Sequence, residues 1–155
     1  MVRNATEADV AAILAIYAPY VLNTTVTFEY DVPTQAEFMQ RFREITRQFP
    51  WLVWEEDGEI LGYAYASAPY SRAAYSWCAE PSVYLLPQAQ GRGIGRKLFD
   101  LLESDPLFIK ADRVWLTASI TALKFYEKIG YTYEGGYCHL NEENLIVMEK
   151  FPARR

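Results

Sequence analysis

The residues best placed for chemistry form one short run, Gln90-Gly91-Arg92-Gly93-Ile94-Gly95. Three glycines within five residues let a backbone turn tightly and approach a ligand with no Cβ in the way. Residues 82–86 before the run are strand-like, and the segment after it is helix-like to about residue 103. At such a junction the N–H groups of the first helical turn point outward and the helix dipole favours an anion. Arg92, Arg96 and Lys97 add cations where a helix dipole disfavours them. Either a bound anion or ion pairing on a solvated face accounts for them, and on the glycines alone a tight turn without a ligand is an equal alternative. The spacing is GxGxG, not GxGxxG, and no Gly-Lys-Ser/Thr follows, so neither a dinucleotide fingerprint nor a Walker A loop is present.

Other chemistries find little support. Cys78 and Cys138 form no CxxC pair, and the single histidine, His139, forms no cluster with them, so no metal site is expected. Both cysteines read as small core residues. Trp51, Trp54 and Trp115 read as core or strand-face residues. A net charge of −5 argues against a nucleic-acid partner, which would require a basic surface. No apolar run reaches the roughly 18 residues of a membrane span, and the N-terminus does not read as a signal peptide, so a cytoplasmic protein with no membrane partner is expected. The 155 residues suffice for one well-buried core and are read as a single domain, 1–155. Twelve tyrosines and an aromatic share of 15% suggest pocket walls or an interface as well as core.

Several elements must position the glycine run. Val2 and Arg3 open a short strand. Thr6 and Asp9 resemble a capping box ahead of Val10, Ile13, Leu14 and Tyr17 at helical spacing, with Pro19 expected to end or kink that helix. Residues 24–28 read as a loop or short extended piece. Thr34 and Glu37 form a full capping box, followed by Phe38, Phe42, Ile45 and Phe49 on one face, with Pro50 as the stop. Residues 51–56 and 59–67 are strands around Asp57-Gly58, a strong hairpin signal. A further strand lies within 75–86, with Pro87 at its end. Ile94, Leu98, Leu101 and Leu102 line one face of the helix after the glycines. Residues 114–118 form a strand, 121–128 a helix stopped by Gly130, and 131–138 and 145–151 two late strands.

A second segment sharpens the reading of the glycine run. Ser119-Ile-Thr-Ala122-Leu-Lys-Phe125-Tyr126-Glu127-Lys128-Ile-Gly130-Tyr131 lies about 30 residues downstream. Together the two segments resemble the GCN5-related N-acetyltransferase (GNAT) family. Its acetyl-CoA motif, Gln/Arg-x-x-Gly-x-Gly/Ala, is matched by Gln90, Gly93 and Gly95. Its later motif, Ala-x-x-Phe/Leu-Tyr-Glu-Lys-x-Gly-Phe/Tyr, is matched by Ala122, Phe125, Tyr126, Glu127, Lys128, Gly130 and Tyr131. Segments 20–29, 49–53, 62–66, 72–77 and 80–84 look like the phosphinothricin/methionine-sulfoximine acetyltransferase branch. The C-terminal third departs from that branch, with only 135–144 standing where it carries a longer Gly- and Trp-containing segment.

The resemblance implies an α+β (mixed α/β) fold of the GNAT-like acyl-CoA N-acyltransferase type. Its central mixed, mostly antiparallel sheet would have six to seven strands flanked by about four helices. It implies acetyl transfer from acetyl-CoA to the primary amine of a small molecule, an amino acid or amino-acid analogue, by direct attack and without metal. The pantetheine arm would pair with the backbone of Val83, Tyr84 and Leu85, and the pyrophosphate would sit on Gln90, Gly91, Arg92, Gly93, Ile94, Gly95 and Arg96. Ser119 stands where the family usually has a cofactor-bonding Asn. Glu80 is the implied general base, with Glu29 as the alternative base or amine binder. Tyr126, a phenol still protonated at pH 7, is the implied acid toward sulfur. Phe28, Glu29, Arg72, Tyr75 and Trp77 would line the acceptor pocket. A homodimer is the family habit. A second expectation is an acetyl-CoA-binding sensor or regulatory module without catalysis.

Overall fold

In the computed structural model, which describes residues 1–24, 27, 29–68 and 78–152, the chain forms two compact units. One comprises Met1–Ala66 and Ser82–Asp105, the other Ser67–Pro81 and Pro106–Arg155. The elements are, in order, β1 (Val2–Asn4), α1 (Val10–Asn23), α2 (Gln35–Thr46), β2 (Trp51–Glu56), β3 (Glu59–Ser67) and β4 (Cys78–Leu85). There follow α3 (Ile94–Glu103), α4 (Pro106–Lys110), β5 (Arg113–Ala118), α5 (Leu123–Lys128), β6 (Thr132–Tyr133) and β7 (Ile146–Lys150). The strands hydrogen-bond in the order β1-β2-β3-β4-β5-β7-β6. β1–β2, β2–β3, β5–β7 and β6–β7 are antiparallel, and β4–β5 is parallel. This is the mixed, mostly antiparallel sheet that the sequence leads one to expect.

In the first unit the core is aromatic. Trp51 on β2 stacks on Tyr65 and Tyr63 of β3, and Phe38 and Phe42 of α2 pack on the same indole. Val10, Ile13, Ile16 and Tyr17 of α1 complete it. The hairpin turn is made by Asp57 and Gly58, both at positive φ (50° and 80°), as a two-residue turn of that hand requires. The Thr34 hydroxyl caps the Glu37 N–H at 3.2 Å and the Glu37 carboxylate returns to the Thr34 N–H at 2.8 Å, so α2 starts at the expected place.

In the second unit β5 pairs along its length with β7. α5 ends at Lys128, and Gly130 just beyond it turns the chain at a φ of +99° that suits glycine. Lys150 Nζ donates to the Ile129 carbonyl at 2.8 Å and lies over the Tyr131 ring, supplying a cation at the helix C-terminus.

Four local expectations need correction. Pro19 neither ends α1 nor stands at its boundary, since the helix runs on to Asn23. A proline removes one donor, here to the carbonyl of Ala15, and Ala15 lies on the exposed side where water can serve. α2 stops at Thr46, three residues before Phe49. On α3 it is Phe99 that is buried beside Ile94, Leu98 and Leu102, while Leu101 is 49% exposed. The strand expected over 131–138 is only Thr132–Tyr133, because Gly135 and Gly136 both take positive φ and turn the chain away.

Candidate active site

The glycine run forms an open turn into α3. Gly91 (φ +74°) and Gly93 (φ +78°) occupy the left-handed region, and nothing lies within 4 Å of where a Cβ would stand on either. Gly93 is the residue preceding α3, and its carbonyl accepts the first intrahelical bond, from Lys97 N–H at 3.1 Å. The N–H groups of Ile94, Gly95 and Arg96 therefore precede the helical ladder and are available to an anion. Ile94 turns its side chain into the core and Gly95 is buried next to it, which fixes this turn against the unit. Gln90 is exposed.

The cations beside the run are largely committed elsewhere. Arg92 binds both carboxylate oxygens of Glu56, at 2.8 and 2.9 Å. Lys97 lies 5.2 Å from the centre of the Trp54 ring. Arg96 stands 4.0 Å from Asp100 one turn along, a loose exposed pair. Ion pairing thus accounts for Arg92, and the anion-binding capacity of the loop resides in its main chain.

β4 approaches β3 closely, and glycine at position 62 makes this possible. A Cβ there would stand 2.3 Å from Leu85 Cδ2 and 3.1 Å from the Tyr84 carbonyl oxygen. Leu86 N–H donates to the Leu61 carbonyl at 2.9 Å, so Leu86 faces β3. Peptide groups alternate sides along a strand, so the N–H and C=O of Leu85 and Val83 face away from β3. Tyr84 turns its ring to the aromatic core, edge-on to Tyr17 and Tyr20.

In the second unit, Glu80 on β4 and Tyr126 on α5 interact electrostatically. Burial pushes the half-buried Glu80 carboxyl up to about 7, with no offsetting cation among the described residues. Tyr126 is 8% exposed. Burial, and then the charge on Glu80, raise its phenol well above the usual value, so it stays protonated at neutral pH. Ser119 is half-buried ahead of the turn into α5, its hydroxyl 3.0 Å from that of Thr121.

Glu29 has the opposite character. Arg41 of α2 grips both its oxygens, at 2.6 and 3.1 Å, and the Tyr17 hydroxyl donates to it. Arg41 first, and Tyr17 with it, hold the Glu29 carboxyl low against the opposing effect of burial. A carboxylate so satisfied is a poor proton acceptor, and of the two candidates for base the environment favours Glu80. Phe28, Arg72, Tyr75 and Trp77 lie outside the described residues. Among the described residues, no group of three or more His, Cys, Asp or Glu is placed to hold a metal ion. The sequence alone assigned no role to Tyr20, Gly62, Arg41 or Glu56, although Tyr20 and Gly62 fall in the branch-like segments; of these only the glycine, inside a strand-like run, carried a local signal of close backbone approach.

Known proteins share this architecture. The family described as "Acetyltransferase (GNAT) domain" matches residues 2–144. The chain is 43% identical over 98 residues to a phosphinothricin N-acetyltransferase of Alcaligenes faecalis, a match covering 63% of this chain and 50% of that protein. It thus spans about half the length of that relative. It is 33% identical over 146 residues to a phosphinothricin N-acetyltransferase of Streptomyces viridochromogenes, covering 89% of this chain and 80% of the relative. Among solved structures, a GNAT superfamily phosphinothricin acetyltransferase from Sinorhizobium meliloti, in complex with AcCoA, superposes with a TM-score of 0.88 at 31% identity. That match covers 98% of this chain and 88% of the other.

Proposed function

From the premise that this chain belongs to the GNAT acetyltransferase family, we propose that it transfers acetyl from acetyl-CoA to the primary amine of a small amino acid or amino-acid analogue. The observation that carries the proposal is the pairing of Glu80, a carboxyl raised to about 7, with Tyr126, a phenol held protonated. Two groups whose environments set them to opposite tasks are the signature of acid–base work.

The main chain fits the donor. The open turn at Gly91 and Gly93, with the N–H groups of Ile94, Gly95 and Arg96 beyond it, suits a pyrophosphate. The outward-facing groups of Val83 and Leu85 suit an extended amide-containing arm, as a strand edge does. Acetyl-CoA supplies the activated thioester, from which the acetyl group passes to nitrogen as the C–S bond breaks and the thiolate leaves. Glu80 accepts the proton of the incoming ammonium, and a pKa near the working pH suits that role. Tyr126 donates a hydrogen bond toward the leaving sulfur. Because its pKa lies above the roughly 8.5 of a thiol, Tyr126 stabilises the thiolate by a hydrogen bond, and the second proton that nitrogen sheds as the amide forms passes to the sulfur through the Tyr126 hydroxyl or solvent, so that CoA is released as the thiol. Glu29, already gripped by Arg41, offers a fixed negative charge for an ammonium, and the acceptor class follows the phosphinothricin relatives.

The same proposal includes a single catalytic domain, since the family match spans both units. It includes a homodimer in the cytoplasm, without nucleic-acid or membrane partners. The net charge of −5 supports the lack of a nucleic-acid partner. Among the described residues no helix is long and apolar enough to cross a membrane. The test is a thiol-release assay with acetyl-CoA across a panel of amines. Release with α-amino acids or their analogues is the expected result. Saturable CoA binding with no release across the panel would replace catalysis by a sensor role.

A further inference from the structure

Tyr20 occupies main-chain groups that the proposed reaction needs. Its hydroxyl donates to the Leu85 carbonyl at 2.6 Å and accepts from the Leu85 N–H at 3.4 Å. These are the Leu85 groups that face away from β3, because Leu86 N–H is the one that pairs with Leu61. A single hydroxyl, which both donates and accepts, therefore serves one residue's N–H and C=O at once. It serves them unequally. The carbonyl bond is short, whereas the amide bond is at the limit of hydrogen-bonding distance. An extended secondary amide, with its N–H and C=O on separate atoms, would satisfy both groups at normal distances, as an added strand does. The Tyr20 ring rests edge-on against Tyr84, 5.1 Å between centroids, so its position does not depend on the hydroxyl alone.

We propose that the Tyr20 hydroxyl is a displaceable occupant of the Leu85 peptide groups and sets the affinity for the acyl donor, whose amide arm takes its place. The inference rests on the acyl-CoA reading above and adds a residue on α1 that the motifs do not mark. Tyr20 is here a positioning and affinity residue; it does not touch the reacting atoms. With Tyr20 on Leu85, donor binding must first break the short bond to the carbonyl. Without the hydroxyl, that step disappears.

The test is Tyr20→Phe, which keeps the ring against Tyr84 and removes both hydrogen bonds. Calorimetric titration with CoA is expected to give a Kd about three- to tenfold tighter than for the unaltered chain, the worth of one ordinary hydrogen bond. The KM for acetyl-CoA is expected to fall in step while kcat stays unchanged, a split that a merely structural lesion would not produce. Equal or weaker CoA binding by Tyr20→Phe, with the unaltered chain binding normally, overturns this proposal and leaves the acyl-CoA reading standing. No CoA binding by either protein removes both. Should the variant fold poorly, amide exchange in the unaltered chain decides. Saturating CoA is expected to speed exchange in the last turn of α1 as Tyr20 is released, and unchanged or slower exchange there refutes displacement.

Discussion

Glu80→Gln should make this protein both less active and more stable, and the gain in stability should depend on pH. The Glu80 carboxyl stands at about 7 in the folded chain against an ordinary 4.5, and burial is the cause. At about 1.36 kcal/mol for each tenfold change, ionised Glu80 then opposes folding by roughly 3 kcal/mol, and residual solvent contact reduces this to about 2 kcal/mol. The sign follows from linkage. Below about pH 4.5 the carboxyl is protonated in both folded and unfolded chains and contributes nothing. As pH rises toward 7 the unfolded chain ionises first, and stability falls. Above 7 both ionise and the full penalty is present. Glutamine carries no such penalty. The variant should therefore melt about 4–8 °C higher than the parent at pH 8, by the scaling for a chain of this size, and the gap should close by pH 4.5. The kcat/KM of the parent should rise with pH through an inflection near 7. That inflection should be absent from the variant, whose rate should fall about 10²- to 10⁴-fold as expected for a lost general base. Two outcomes would refute the reasoning: a melting difference that is the same at pH 4.5 and pH 8, or normal turnover by the variant.

Three further predictions follow from other parts of the chain. Tyr126→Phe should lower kcat about 10²-fold with CoA affinity nearly unchanged, measured by thiol release beside calorimetry; a loss confined to affinity would remove Tyr126 from the chemistry. Gly93→Ala forces a side chain into φ +78°, so chemical denaturation should show a loss of about 1–2 kcal/mol, and CoA titration a weaker complex. Asp9 is held down to about 2 by Arg3, which binds both its oxygens at 2.8 Å. Asp9→Asn should therefore cost about 2 kcal/mol at pH 7. Its depressed pKa means that this stability exists above the unfolded value of 3.8 and is lost as pH falls toward 2, so denaturation curves of parent and variant should converge there.

What the sequence discloses divides along the line between backbone and side-chain demands. Gly91, Gly93, Asp57-Gly58 and the Thr34/Glu37 box were all readable. In each, the main chain needs a particular φ or a local cap, and few residue types meet that need. The family resemblance singled out Glu80 and Tyr126 without any knowledge of what surrounds them. Their altered acidities were not readable, because those arise from burial. The partnerships of Arg92 with Glu56 and of Arg41 with Glu29 were equally hidden. Nothing local obliges an arginine 36 residues along the chain to choose one glutamate over another. The shortness of β6 was hidden for a related reason: the alternation over 131–138 is strand-like, and two glycines at positive φ override it.

The excess of tyrosine acquires a reason once α1 is considered as a ruler. Tyr17 and Tyr20 stand three residues apart and so share a helix face. Both set their rings edge-on to Tyr84, at 5.3 and 5.1 Å. Their hydroxyls diverge. Tyr17 reaches Glu29, already held by Arg41, and Tyr20 reaches the Leu85 peptide. Phenylalanine would supply the same packing at both positions and neither polar contact. Leucine would lose the aromatic contacts as well. One helical turn thus fixes a carboxylate on one side and a strand peptide on the other through a shared ring. Removing the Tyr17 hydroxyl would act on Glu29, and removing that of Tyr20 on Leu85, while the packing of Tyr84 stays intact. A composition that at first suggests pocket walls or an interface as well as core therefore marks, at Tyr17 and Tyr20, positions where a ring must also carry a hydrogen bond.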